Sequence, residues 1–152
     1  MPEHQNNIIF NNPYKARYNN NNDVFIHVRL TDVEQYNPGI EYYLKVLKSI
    51  TYDNIYIASD DFNHTIIEDI LNAYPSASKI EYDEVKTIQF ASTCKTIILS
   101  HGSFSAVIGY LSFDSNVHYS EYDETKLWYG DIFSIDGWIK HGPSSDLQIA
   151  TS

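Results

Sequence analysis

Three short polar runs in this 152-residue sequence hold the residue types that chemistry on a charged ligand requires. They are His27-Val28-Arg29-Leu30-Thr31-Asp32, Ser59-Asp60-Asp61 and Ser100-His101-Gly102-Ser103-Phe104-Ser105. Arg29 carries a planar fork that takes two oxygens of a diphosphate at once and stays ionised at any working pH. Gly102-Ser103 stands where a helix is predicted to open, and the free N–H groups and positive dipole end of such a helix suit a phosphate. The hydroxyls of Ser103 and Ser105 add donors there. His27 precedes Arg29 by two residues, so on a strand both side chains point to one face. Each run also has a plain structural reading: Arg29 as the ion-pair partner of Asp32 or Asp61, Asp60 as a helix cap, Ser103 as an N-cap, and His27 as a structural strand histidine. What favours chemistry is the position the three runs share.

That position follows from the elements around them. Val24-Phe25-Ile26-His27-Val28 is β-branched and aromatic without alternation, as a strand buried on both faces is. After Pro38-Gly39, residues Ile40 to Ile50 repeat apolar side chains at helical spacing. A second strand, Ile55 to Ala58, runs into Ser59-Asp60-Asp61, and a helix from Thr65 to Tyr74 stops before Pro75. Lys79 to Tyr82 reads as a short strand, Glu84 to Ser92 as a helix and Thr96 to Leu99 as a strand. Ser103 to Ser112 reads as a helix packed by Phe104, Val107, Ile108 and Leu111. Asn116 to Tyr119 is one more strand, followed by an aromatic closing segment with Trp128, Tyr129, Phe133 and Trp138. Such alternation predicts an α/β fold, a Rossmann-like parallel sheet with helices on both faces. All three polar runs then lie at carboxyl ends of strands, on the rim where ligands bind in such sheets.

The organisation expected is an Asn-rich leader or linker at 1–23, a domain at 24–141 and a polar, frayed tail at 142–152. The leader's composition favours turns and exposed coil. With 43% hydrophobic and 14% aromatic residues the chain can build a real core. A formal net charge of -10 speaks against nucleic acid or an anionic membrane as partner, while leaving one nucleotide within reach of one arginine. The single cysteine, Cys94, lies in an apolar stretch and is expected to be a buried thiol in a reducing, cytoplasmic setting. No apolar run approaches the roughly 20 residues a membrane span needs.

In this order the three runs resemble the motifs shared by α1,2-, α1,6- and protein-O-fucosyltransferases and the bacterial chitooligosaccharide fucosyltransferases, over about residues 24 to 113. His27-Val28-Arg29-Leu30-Thr31-Asp32 is similar to the His-x-Arg-Arg-Gly/Thr-Asp run of that superfamily. The helix and strand between Tyr42 and Asp61 resemble the α1,2 branch (glycosyltransferase family 11). So does the stretch from Ser92-Thr93-Cys94-Lys95 to Ser103-Phe104-Ser105 and Leu111. The resemblance implies the C-terminal donor-binding domain of a GT-B glycosyltransferase, inverting fucosyl transfer from GDP-fucose to a glycan hydroxyl, and no metal or other cofactor. It gives Arg29 the β-phosphate, with His27 and Asp32 in support. Ser59, Asp60 and Asp61 would organise the nucleotide pocket, and His101, Gly102, Ser103, Phe104 and Ser105 would lie along the phosphate and ribose. The family's acceptor-binding half precedes the first motif, where the Asn-rich leader stands here, so a further domain or partner chain is implied and the general base is expected on it. Three departures are visible. Leu30 replaces the second arginine, and Ala106-Val107 replaces a Trp pair and is expected to reshape the pocket wall. The acidic guanine reader aligns with Lys86 or Thr87, with Asp83 and Glu84 nearby. The alternative is a non-catalytic nucleotide-binding or assembly module on the same fold. A flavodoxin-like or response-regulator reading, drawn from Asp60-Asp61, lacks a matching phosphate loop or receiver lysine.

Overall fold

A computed structural model describes residues 11–31, 38–121, 133 and 135–141. Its strands are β1 (Val24–Val28), β2 (Ile55–Ser59), β3 (Ser78–Lys79), β4 (Thr96–Ile98), β5 (Asn116–Ser120) and β6 (Ile139–His141). The helices are α1 (Ile40–Ser49), α2 (Thr65–Ala73), α3 (Glu84–Ala91) and α4 (Ser103–Tyr110), with a 3-10 turn at Lys15–Arg17. All six strands are parallel, in the order β3-β2-β1-β4-β5-β6. That is the Rossmann order, in which the chain winds outward from β1 through β2 and β3, then returns to lay β4 on the other side of β1.

Local chemistry explains the elements. All five residues of β1 are buried because β2 and β4 flank it and helices cover both faces. Side-chain alternation divides the core in two. Val24, Ile26 and Val28 join Tyr43, Leu47, Ile67 and Ile70 of α1 and α2. Phe25 joins Phe90, Ala91, Ala106 and Ile108 of α3 and α4 on the opposite face. The Nδ1 of His64 accepts the Ile66 N–H at 3.1 Å to open α2, and the Asp83 carboxylate accepts the Lys86 N–H at 2.7 Å to open α3. The helix cap near the second polar run is therefore His64, not Asp60, and Gly102, not Ser103, caps α4.

Other elements depart from expectation in ways that have physical reasons. The strand expected over Lys79 to Tyr82 is Ser78–Lys79, extended only by an Ile80 N–H to Ile57 O bond of 2.7 Å. Short edge strands offer little unpaired backbone to other chains. The expected apolar face of α4 holds for Ile108 and for Phe104, which packs on the core, but Ser105, Ala106 and Gly109 are buried beside them while Val107 is 37% exposed. Ala106 thus lies in the core and Val107 outside, so the pair does not shape a pocket wall. β6 was not foreseen, since Ile139-Lys140-His141 carries no hydrophobic pattern.

Where the structure describes it, the Asn-rich segment forms the turns its composition favours and exposes Asn19 and Asn20, yet it is also anchored to the domain. Asn12 is buried and donates from Nδ2 to the Gln89 carbonyl at 2.7 Å. Arg17 pairs with Asp23 at 2.7 Å, donates to Thr93 Oγ1 at 3.0 Å and lies 4.6 Å over the Phe90 ring. Buried Cys94 lies beneath it, its thiol pushed up to about 12 by burial. Trp128, Tyr129 and the 142–152 tail lie outside the described residues. Among the described residues no helix is long and apolar enough to cross a membrane.

Candidate functional site

The topological switch point lies between β1 and β4, and their carboxyl ends carry the first and third polar runs. Register brings the second run alongside, because Val28 pairs with Ser59. Arg29 leaves β1 beside the start of α4: a Cβ added to Gly102 would sit 3.7 Å from Arg29 Cγ. Gly102 holds φ +98, a left-handed conformation that favours glycine, and so turns the chain sharply from the β4 end into α4.

The turn after β1 is held by Asp60. Its Oδ1 accepts the Leu30 N–H at 2.8 Å and its Oδ2 accepts the Thr31 N–H at 3.0 Å, with the Thr31 hydroxyl donating as well. The Arg29 Nε lies 3.5 Å from the same Oδ2. Burial alone would raise the Asp60 pKa, but the Thr31 hydroxyl and the Leu30 and Thr31 N–H groups outweigh it and hold the carboxyl below its ordinary value. Among the described residues Arg29 thus pairs with Asp60, rather than with Asp61. Asp61 turns to the loop before α2, where Oδ1 accepts the Asn63 N–H at 3.0 Å. Ser59 Oγ bonds the Val28 carbonyl at 2.8 Å and accepts the Asp61 N–H at 3.1 Å, stitching β2 to β1 at the rim. Asp32 lies outside the described residues.

Behind Arg29 runs a buried hydroxyl relay. Ser100 Oγ accepts the Arg29 N–H at 3.0 Å and the Tyr43 hydroxyl at 3.0 Å. Ser105 Oγ accepts the Ser100 N–H at 2.8 Å and shares a 2.9 Å hydrogen bond with His27 Nδ1. His27 lies edge-on to Phe104, with ring centroids 5.3 Å apart. Burial is the main reason its pKa falls to about 4, with Arg29 lowering it and Asp60 raising it in smaller measure. At neutral pH His27 is uncharged and positions α4 against β1. Ser105 is fully buried, so its hydroxyl serves this relay and does not reach the rim. His101 is buried beside Phe133, 6.3 Å between ring centroids, and burial lowers its pKa to about 4. Neither His101 nor Gly102 nor Ser103, which is exposed at the start of α4, is among the residues that line the cleft.

In front of Arg29 opens a cleft of about 340 Å³, lined by His27, Arg29, Asp60, Phe104 and residues from the carboxyl ends of β2 and β3. Its volume falls within the range of small-molecule sites. The lining carries one guanidinium at the β1 end and the carboxylates of Glu81 and Glu84 toward β3, with Phe62, Ile80 and Tyr82 between polar groups. The cleft thus has a guanidinium, in contact with Asp60, at one end and hydrogen-bond-accepting carboxylates at the other. Asp83 is engaged as the α3 cap; of the two residues aligned with the guanine reader, Thr87 lines the cleft and Lys86 does not, and the nearby Glu84 lines it too. Among the described residues no group of three or more His, Cys, Asp or Glu side chains could hold a metal ion. Sequence reasoning passed over Ser100, Tyr43, Glu81 and Tyr82 as members of the site. Only Tyr82 left a sequence signal, an aromatic residue just past a strand's carboxyl end.

The backbone is similar to that of two crystal structures. One is NodZ α-1,6-fucosyltransferase soaked with GDP-fucose, at 11% identity and a TM-score of 0.46 over 72% of this chain and 40% of that one. The other is fucosyltransferase NodZ from Bradyrhizobium, at 12% identity and a TM-score of 0.45 over 71% of this chain and 41% of that one. This chain thus spans well under half the length of either. No protein-family model and no curated protein matches the sequence. The fold assignment above rests on the strand order itself.

Proposed function

We propose that this chain is the donor-binding half of a glycosyltransferase, taking a GDP-sugar whose sugar, by the motif resemblance, is fucose. The observation that carries the reading is Arg29 at the switch point, beside the opening of α4 and at the head of the cleft. An arginine facing a helix N-terminus stabilises the charge that builds on a departing diphosphate, and it does so without a metal. In the proposed reaction the sugar passes with inversion to a glycan hydroxyl, and a separate acceptor-binding half supplies the general base.

Calorimetry with GDP, GDP-fucose, UDP and UDP-sugars tests the reading. Heat with the guanine nucleotides is the expected result, and no heat with any nucleotide would overturn it. Arg29→Ala should weaken GDP binding by about 1.5 to 3 kcal/mol, the scale of a charge-assisted hydrogen bond. An unchanged affinity would remove Arg29 from the site.

One observation favours a second reading, nucleotide binding without catalysis. Leu30, at the place of the superfamily's second arginine, is 2% exposed and belongs to the core under α1 and α2. That position faces away from the cleft and supplies no second cation. Donor hydrolysis by the chain would favour the catalytic reading; GDP binding without turnover, even when an acceptor half is supplied, would favour the second.

A further inference from the structure

Toward β3 the cleft is lined by the Tyr82 ring, and that ring is backed by an aromatic cluster to which the Asn-rich N-terminal segment contributes Tyr14. Tyr82 lies three residues past the end of β3, lines the cleft and is 44% exposed. Its ring stacks on Tyr14, with centroids 6.1 Å apart and planes 17° from parallel. Phe90 of α3 meets Tyr82 edge-on at 6.1 Å and Tyr14 edge-on at 5.5 Å. Behind Phe90 lie Tyr56 at 4.9 Å and the Arg17 guanidinium. Tyr14 is itself tethered: its N–H donates to Asn12 Oδ1 at 2.8 Å, and Asn12 is held by the Gln89 carbonyl. A ring so braced has already lost most of its freedom, so a planar ligand stacking on it orders little more.

The placement relative to Arg29 completes the argument. β3 is two strand spacings from β1, about 10 Å across the rim. Between the guanidinium and the tyrosine lie Asp60 and Ser59, and beside Tyr82 lie the carboxylates of Glu81 and Glu84. A nucleoside diphosphate has the complementary layout: anionic oxygens at one end, a ribose between, and a flat base with N–H donors at the other. We infer that Tyr82 is the stacking surface for the nucleobase of the donor, and that Tyr14 is a positioning residue that holds its ring, making the N-terminal segment part of the nucleotide site. This inference rests on the donor-binding reading above and adds to it the residues that grip the base.

The test compares GDP with inorganic pyrophosphate, which has the anion but no base, by calorimetry on the full chain. Tyr82→Ala should weaken GDP about 5- to 100-fold, the effect of removing one base–aromatic stack, and leave pyrophosphate binding unchanged. Tyr82→Phe, which keeps the ring, should stay within about threefold of the parent, since the hydroxyl adds little to stacking. Tyr14→Ala should weaken GDP by a smaller factor with pyrophosphate again unchanged, and Tyr14→Phe should restore it. A purely structural role for either residue would lower both affinities together, and that outcome overturns the inference. So does a parent chain that binds GDP while Tyr82→Ala binds it equally well. A parent chain that binds neither ligand removes the donor-binding reading itself, a result distinct from the failure of Tyr82 alone.

Discussion

Asp60 decides the shape of the rim more than Arg29 does. One carboxylate receives two consecutive backbone N–H groups and a hydroxyl from the turn after β1, and it touches the guanidinium as well. An amide at that place offers one oxygen for donors that now use both. Asp60→Asn should therefore cost about 1.5 to 3 kcal/mol of stability, as loss of a hydrogen bond to a charged group does. Urea unfolding measures it, and an unchanged midpoint would mean that the turn holds without the carboxylate. The shared face of His27 and Arg29 was legible in the sequence, because strand period fixes it. The contact of Arg29 with Asp60 was not: Asp61 is as close in pattern as Asp60, and only the pairing of β1 with β2 and the turn that follows distinguish the two. Ser100 was equally hidden, since its role depends on Tyr43 arriving from α1 on the other face of the sheet.

At the scale of elements, α4 is held to the sheet by small residues. A Cβ on Gly109 would meet Trp138 at 2.5 Å from Cη2 and 2.7 Å from Cζ2, and Leu99 Cδ1 at 3.0 Å. Trp138 also stacks on Tyr110 at 5.5 Å and directly precedes β6. Gly109→Ala should force the indole outward, costing about 1 to 3 kcal/mol by overpacking and changing tryptophan fluorescence. A variant with native fluorescence and stability would show that the edge yields freely. Helical periodicity pointed to Phe104, Val107, Ile108 and Leu111 as the packing face; Ile108 is buried and Phe104 packs on the core, but Val107 faces out. It weights large apolar side chains and is blind to an interface made by Ser105, Ala106 and Gly109 fitting closely under neighbours. β6 escaped for a related reason: three residues at an edge, one of them lysine, leave no pattern to read.

Over the whole molecule, burial holds His27, His101 and His118 at about 4, with His141 adding to the effect on His118. Unfolded histidines titrate near 6.5. Between those values the unfolded chain binds protons that the folded chain refuses, so stability falls as pH drops from about 6.5 toward 4. Asp60 acts lower: its depressed pKa contributes stability above the unfolded carboxylate value that is lost as pH falls through the folded one. Thermal melts should therefore be flat from pH 7 to 8 and decline through the histidine window, with a shallower decline in His27→Gln. A midpoint that does not move between pH 6.5 and 4.5 would contradict the neutral state of these rings. The alternation of elements was enough to foresee a parallel α/β sheet, because parallel strands need helical crossovers. The place of β4 beside β1, which creates the switch point, is written only in contacts between distant segments. Those contacts extend to Asn12 and Arg17, and this bears on how the chain can be divided. A cut at Val24, where the hydrophobic texture begins, would strip the cover from Phe90 and Cys94. Any dissection or fusion has to keep Asn12 to Asp23 with the domain, including the run of asparagines that looks like a hinge.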